Sequence, residues 1–309
     1  MSELLSVVVP CYNEQETVEL FYDAIREQAA KLSVLDWEFI FVDDGSSDDT
    51  LKRIRELRER DSRVHYVSFS RNFGKEAAIY AGLRKAKGDY VVLMDADLQD
   101  PPELIGEMYR TVLEEGYDCT ASRRVTRQGE PLLRSFFARC FYRLINAISR
   151  TEFVDGARDF RLMRRQMVDS ILELTEYNRF TKGIFSWVGY RTKWLEYVNV
   201  ERVAGTTKWS FWKLFLYSLD GIVAFTTAPL ALASVFGIIF FLIALVLIAF
   251  IIVRTLIFGD RTAGWPSLVC IICLIGGVQL FCTGIVGQYL ARTYLEAKRR
   301  PVYIVREEK

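Results

Sequence analysis

The sequence predicts an α/β head built on a mostly parallel sheet, followed by a two-helix membrane hairpin. Between residues 4 and 115, short β-branched and apolar runs alternate with helical patterns, as in a sheet covered by helices on both faces. Polar clusters follow the first, second and fourth of these runs: Cys11-Tyr12-Asn13-Glu14, Asp43 to Asp48 and Asp95 to Asp100. Near the C-terminus, Gly221 to Val253 and Thr262 to Ala291 carry no charge. About 20 apolar residues cross the hydrocarbon core as a helix, so each stretch has room for one span.

The elements follow in order. Leu4 to Val9 reads as a strand, with a helix from about Glu16 to Leu32. Phe39 to Val42 is the second strand, before a helix over Asp49 to Glu59. Val64 to Phe69 precedes the helix Lys75 to Ala86, and Tyr90 to Met94 precedes the helix Pro101 to Glu115. Ligands of such sheets bind beyond the carboxyl ends of the strands, where the three polar clusters fall. The first strand runs into Val9-Pro10-Cys11-Tyr12-Asn13, with no GxGxxG or GxxxxGK[ST] pattern. Dinucleotide and P-loop sites are therefore not expected.

Past the fourth repeat, apolar residues recur at helical spacing over Leu132 to Ile148, with Arg134, Arg139 and Arg143 among them. This helix suits either the headgroup plane or the rear of the sheet. The aromatic run Trp209 to Leu219 adjoins the first span and reads as interfacial. The expected division is a head over 1–205, an interfacial helix over 206–221, spans near 229–253 and 266–290 within 222–291, and a basic tail over 292–309.

The net charge of +1 says less than its distribution. Lys208 and Lys213 precede the first span, and Lys298, Arg299 and Arg300 follow the second. The inside-positive rule places both flanks in the cytoplasm and the short turn outside, although Arg254 and Arg261 weaken the asymmetry. Met1-Ser2-Glu3 leads straight into a strand, so no signal peptide is expected. Cys11, Cys119, Cys140, Cys270, Cys273 and Cys282 form no disulfide framework, and the Cys270–Cys273 pair lacks a second half-site.

Asp95 and Asp97 flank Ala96 where the fourth strand ends. Alternation turns both carboxylates to one side, and hard oxygen ligands suit Mg²⁺ or Mn²⁺ bridged to a diphosphate. Alone, such a pair is weak: Asp100 is explained as a cap of the Pro101 helix, and its neighbours could cap too. A phosphatase nucleophile is the other reading of DxD, but that pair usually follows the first strand. Asp43 and Asp44 end the second strand, Gly45 permits a sharp turn, and Ser47 or Asp48 suits the next N-cap.

The motifs Val9-Pro10-Cys11-Tyr12-Asn13-Glu14, Val42 to Asp48, Arg71-Asn72-Phe73-Gly74-Lys75 and Asp95 to Glu103 recur in a known pattern. With Ala121-Ser122-Arg123, Asp159 to Met163 and Gly205 to Trp209, the chain resembles the inverting GT-A-fold glycosyltransferases that charge polyprenyl phosphates. That family includes dolichyl-phosphate mannose synthase and the bactoprenol glucosyltransferases, and two C-terminal spans favour the latter branch. The resemblance covers nearly the whole chain and is specific for reaction class, less so for the sugar.

It implies that Pro10, Tyr12, Glu14 and Asp44 surround the nucleoside, and that Asp95, Asp97 and Gln99 hold Mg²⁺ or Mn²⁺ and the diphosphate. It further implies that Arg123 meets phosphate, Asp159 takes the position of the catalytic base, and Lys208 contacts a phosphate from the membrane side. Asp159 has an alternative as a salt-bridge partner of Arg158 or Arg161. Two departures from the pattern stand out: Ala121 replaces a Gly, and Thr207 and Trp209 replace a Ser and a Tyr. The implied partners are a nucleotide sugar, with UDP-glucose ahead of UDP-N-acetylglucosamine and GDP-mannose, an undecaprenyl phosphate acceptor and the bilayer. A homo-oligomer is compatible with this, and no nucleic acid is expected. The implied location is the inner membrane, with head and both termini cytoplasmic.

Two rivals remain. A transporter subunit or scaffold would need polar residues along its spans, which offer only Gln279, Gln288 and small hydroxyls. A processive polysaccharide synthase usually carries more spans and a QxxRW motif, absent here.

Overall fold

The computed structural model describes residues 2–124, 142–149, 151, 153–197, 221–258 and 264–309. Four strands, β1 (Leu4–Cys11), β2 (Asp36–Asp43), β3 (Val64–Phe69) and β4 (Tyr90–Leu93), alternate with helices α1 (Val18–Lys31), α2 (Thr50–Arg60), α3 (Lys75–Lys85) and α4 (Leu104–Glu114). There follow β5 (Cys119–Arg124), β6 (Ala157–Arg164), α5 (Arg165–Glu173), α6 (Thr181–Trp187), β7 (Thr192–Tyr197), α7 (Ala228–Phe258), α8 (Trp265–Ala297) and β8 (Val305–Glu308). All eight strands form one sheet in the order β7-β5-β6-β4-β1-β2-β3-β8. The centre, β4-β1-β2-β3, is parallel, whereas β6 and β8 run antiparallel to their neighbours.

Period-two alternation divides the sheet between two cores. Leu5, Val7, Val9, Phe39 and Phe41 face one side, packed with residues of α1, α2 and α4 such as Phe21, Ile54 and Met108. Val8, Ile40, Val42 and Val67 face the other, against Ala77, Ala78 and Ala81 of α3 and residues of α5 and α6. Each fully buried Val, Leu, Ile or Phe contributes about 1.5–3 kcal/mol, so both layers of helices are held firmly. Cys11 and Cys119 are buried and unpaired, as small apolar filler should be.

The register positions the ligand edge. β1 pairs with β2 through Pro10–Val42 and Cys11–Asp43, which brings their following loops side by side. β4 pairs antiparallel with β6 through Leu93 and Arg161. Two steps further in that register stand Asp95 and Asp159.

α7 and α8 carry apolar side chains that are largely exposed, and Ala228–Leu247 and Leu274–Ala297 are long and apolar enough to cross a membrane. Exposure removes the reading as core helices of a larger soluble fold. A bilayer is the solvent such surfaces require, so these helices associate the chain with a membrane. Both run beyond the expected spans, and Arg254 belongs to α7 instead of the turn. Of the expected helix Leu132–Ile148, residues 142–148 are helical; its earlier part and the interfacial run from 209 to 219 lie outside the described residues.

Two joints connect membrane and head. Phe225 packs edge-on against Phe153, with ring centroids 5.7 Å apart, and Tyr289 of α8 donates to the Thr226 carbonyl at 2.6 Å. At the end of α8, the Glu296 carboxylate accepts N–H bonds from Tyr177 and Asn178, each at 3.0 Å. The chain then returns to the head: Tyr303 stacks on Phe69 at 4.8 Å, and β8 pairs with β3. The segment expected as a basic tail thus extends α8 and covers β3 with a short charged edge strand.

Candidate functional site

The loops at the carboxyl edge are laced together by their own polar groups. Asn13, in left-handed backbone at φ 54°, accepts at its side-chain oxygen from Ser47 N–H (2.8 Å), and its own N–H donates to the Ser46 hydroxyl (2.9 Å). Glu14 N–H donates to the Thr50 hydroxyl at 2.8 Å. Asp43 is buried and accepts from Ser46 N–H (3.0 Å) and the Ser68 hydroxyl (2.8 Å). Asp44, equally buried, accepts from Phe73 N–H (2.6 Å) and Gly74 N–H (2.9 Å). The two adjacent carboxylates therefore tie the loop after β2 to β3 and its following loop, while Asn13 and Glu14 join the loop after β1 to the same wall. Gly45, at φ 65°, lies where a Cβ would stand 2.4 Å from the Arg71 carbonyl carbon, so this close approach requires glycine.

Burial pushes the Asp44 carboxyl up to about 6, against the pull of the Phe73 and Gly74 amides. Its carboxylate is thus engaged with the loop that carries Lys75. Pro10 and Glu14 are half-buried beside this wall, while the Tyr12 ring is 39% exposed.

At the end of β4 the acidic segment turns through Leu98 at φ 54°, and Asp97 accepts the Gln99 N–H at 3.2 Å. The Gln99 side-chain oxygen accepts from Arg158 at 3.2 Å. Arg158 also meets Asp100 at 3.4 Å and donates to the Tyr197 hydroxyl at 3.1 Å, while Tyr197 donates to Asp100. Burial raises the Asp100 carboxyl to about 6 despite Arg158. The acidic turn is thereby braced from β6 and β7.

Asp95 and Asp159 face each other across the ammonium of Lys75. Lys75 Nζ lies 2.8 and 2.9 Å from the two Asp95 oxygens and 2.5 Å from Asp159 Oδ2. Burial opposes the charged form of Asp159, but Lys75 above all, then Lys182, hold its carboxyl well below the usual range. Lys75 itself loses charge stability to burial and regains more from Asp159 and Asp95, which raise it above the ordinary lysine value. Of the alternative partners of Asp159, Arg158 turns to Gln99, Asp100 and Tyr197, and Arg161 donates to the backbone carbonyls of Asp159 and Arg158 and lies over the Phe185 ring at 3.6 Å. Arg123, on β5, is partly exposed and meets Glu196 at 3.9 Å. Lys208 lies outside the described residues.

Spacing marks Asp95 and Asp97, and the resemblance marks Asp159; Lys75 stands in one of its motifs and Arg158 as a candidate partner of Asp159, but neither is assigned there the role of organising the acidic groups. The signal for Lys75 was its place directly after a strand-end loop, on the same edge as the acidic clusters. Among the described residues no three His, Cys, Asp or Glu side chains converge on one point. The donor chemistry still fits a hard divalent cation: Asp95 already turns both oxygens toward a positive charge, and Mg²⁺ or Mn²⁺ takes few protein ligands when phosphate and water supply the rest.

A profile of the family described as Glycosyl transferase family 2 matches residues 6–172. The chain is 42% identical over 304 residues to the putative glycosyltransferase CsbB of Bacillus subtilis, covering 98% of this chain and 92% of that protein. It is 41% identical over 305 residues to the prophage bactoprenol glucosyl transferase homolog of Escherichia coli K12, covering 99% of each. With the bactoprenol glucosyl transferase of Shigella phage SfV the identity is 42% over 305 residues, again 99% of each. The head has the fold of mannosyl-3-phosphoglycerate synthase from Rubrobacter xylanophilus, at a TM-score of 0.50 and 19% identity over 71% of each chain.

Proposed function

The chain belongs to glycosyl transferase family 2, and from that premise we propose that it transfers a glucosyl residue, with inversion, from a nucleotide sugar to a polyprenyl phosphate. The GT-A fold expected from the sequence is borne out. The carrying observation is that similarity to bactoprenol glucosyl transferases runs through head and hairpin alike, 42% identity over 99% of both chains. UDP-glucose is the proposed donor, undecaprenyl phosphate the acceptor, and the cytoplasmic face of the inner membrane the location.

In this reading Pro10, Tyr12 and Glu14 line the nucleoside end, and Asp44 keeps the neighbouring loop in place. An acceptor phosphate oxygen forms a bond to the anomeric carbon while the bond to the diphosphate oxygen breaks, the electron pair leaving with the nucleoside diphosphate. Asp95 and Asp97, with Gln99 beside them, would hold Mg²⁺ or Mn²⁺, which when bound supplies Lewis-acid neutralisation of the departing diphosphate. Arg123 offers a planar fork to phosphate, and Lys208 is assigned to the acceptor phosphate as a mobile point charge. A phosphate monoester is mostly ionised at neutral pH, and a carboxyl held low by Lys75 is a weak proton acceptor. Asp159 therefore acts mainly as a fixed anion that orients the groups around it.

The test is to incubate membranes holding the protein with undecaprenyl phosphate and each radiolabelled nucleotide sugar in turn. A butanol-soluble, mild-acid-labile product from UDP-glucose is expected, whereas transfer to protein or glycan without a lipid product would overturn the acceptor. Asp97→Ala should insert normally yet lose at least ~100-fold in transfer, the scale of lost preorganised charge stabilisation. Ordinary turnover in EDTA would remove the metal from this scheme.

A further inference from the structure

Lys75 is an odd residue for its position. It opens α3, where the helix dipole disfavours a cation, and Gly74 before it offers no side-chain cap. Its stem is partly exposed, yet its ammonium is drawn inward between two carboxylates. An ammonium has three N–H donors. Two of them are used here, toward Asp95 Oδ2 at 2.9 Å and Asp159 Oδ2 at 2.5 Å, and Asp95 Oδ1 stands 2.8 Å from the same nitrogen within the ion pair. Both Asp95 oxygens are thus turned to a cation that belongs to the chain. The loop carrying Lys75 is fixed by the Asp44 bonds to Phe73 and Gly74, which hold the lysine at this edge.

A divalent ion using Asp95 as a direct ligand must take an oxygen from Lys75 and approach its positive charge. We propose that Lys75 is a built-in competitor for the cation site, so that a free divalent ion binds weakly and loads together with the donor diphosphate. The diphosphate changes the balance in two ways: it adds oxygen ligands for the ion, and it gives the displaced ammonium a new anionic partner. Asp159 keeps Lys75 within reach throughout. Lys75 is in this sense a positioning residue that couples metal loading to donor arrival. This rests on the glycosyltransferase reading above for the identity of the diphosphate.

The experiment measures Mn²⁺ binding by electron paramagnetic resonance on the full-length protein in detergent, first with Mn²⁺ alone and then with UDP added. Wild type should bind Mn²⁺ at least ~10-fold more weakly without UDP than with it, the scale set by one nearby unit charge. Lys75→Gln should bind Mn²⁺ alone at least ~10-fold more tightly than wild type, Lys75→Arg should remain weak, and UDP should narrow the gap. Equal Mn²⁺ affinity of wild type and Lys75→Gln without UDP overturns the proposal, as does a wild-type affinity that UDP leaves unchanged. The wild-type comparison needs no variant, so a misfolded substitution cannot rescue the idea. Absence of Mn²⁺ binding in every sample, with or without UDP, also overturns it, while the lipid-product assay judges glycosyl transfer separately.

Discussion

Asp44 shows how a single buried carboxyl links loop geometry to pH. Its folded value of about 6 lies above the ordinary carboxylate value, because burial outweighs the amides that it accepts from. A raised acid binds more protons folded than unfolded between those two values, so its contribution to stability is complete below about pH 4 and lost as pH rises through about 6. Asp44→Asn keeps one acceptor oxygen for the loop and does not titrate. Relative to wild type, the variant should therefore gain about 2–3 kcal/mol of stability between pH 4 and pH 7, read as a difference in thermal unfolding at the two pH values. A constant difference would show that Asp44 titrates normally. The residue scale is also where the sequence was least complete. Asp95 and Asp97 announce themselves by spacing, but Lys75 meets partners 20 and 84 residues away. Before the sheet is assembled, a lysine opening a helix reads as a solvated charge.

At the scale of elements, the first four strand–helix repeats were legible because strands buried on both faces are written as unbroken apolar runs. β8 was not, since Val305-Arg306-Glu307-Glu308 carries one apolar residue and pairs through its backbone. An edge strand needs no apolar face, so composition leaves no trace of it. The antiparallel insertion of β6 was also silent, although its motif was visible, because pairing direction depends on where the chain returns. Loop crowding can be tested directly. Gly45 and Gly116 share a left-handed backbone, φ 65° and 68°, but a Cβ on Gly45 would meet the Arg71 backbone whereas one on Gly116 meets nothing within 4 Å. Gly116→Ala should cost about 1 kcal/mol and Gly45→Ala at least ~2–3 kcal/mol, from the same conformational strain plus displacement of a backbone. Melting curves of the two variants side by side check this, and equal shifts would contradict the crowded wall.

At the scale of the whole molecule, head and apolar helices meet at Phe225 and again at Glu296, two contacts that join the head to the membrane-associated helices. With the proposed orientation, an impermeant thiol reagent should label Asp260→Cys in intact cells and leave Glu308→Cys unlabelled, in a cysteine-depleted background; the reverse pattern would invert the topology. β8 adds a consequence for how the protein is made. Its residues follow both apolar helices in sequence, so a ribosome releases them after the helices have been synthesised, and β3 waits with an open edge until then. An open edge is a template for pairing with other chains. A chain ended after Ile304 should therefore still enter the membrane but aggregate on extraction, which size-exclusion chromatography in detergent would reveal; a monodisperse truncated protein would speak against this. β8 thus ties the covering of β3 to the completion of both apolar helices: a chain interrupted before it would leave the longer, apolar β3 as the edge in place of a short charged strand.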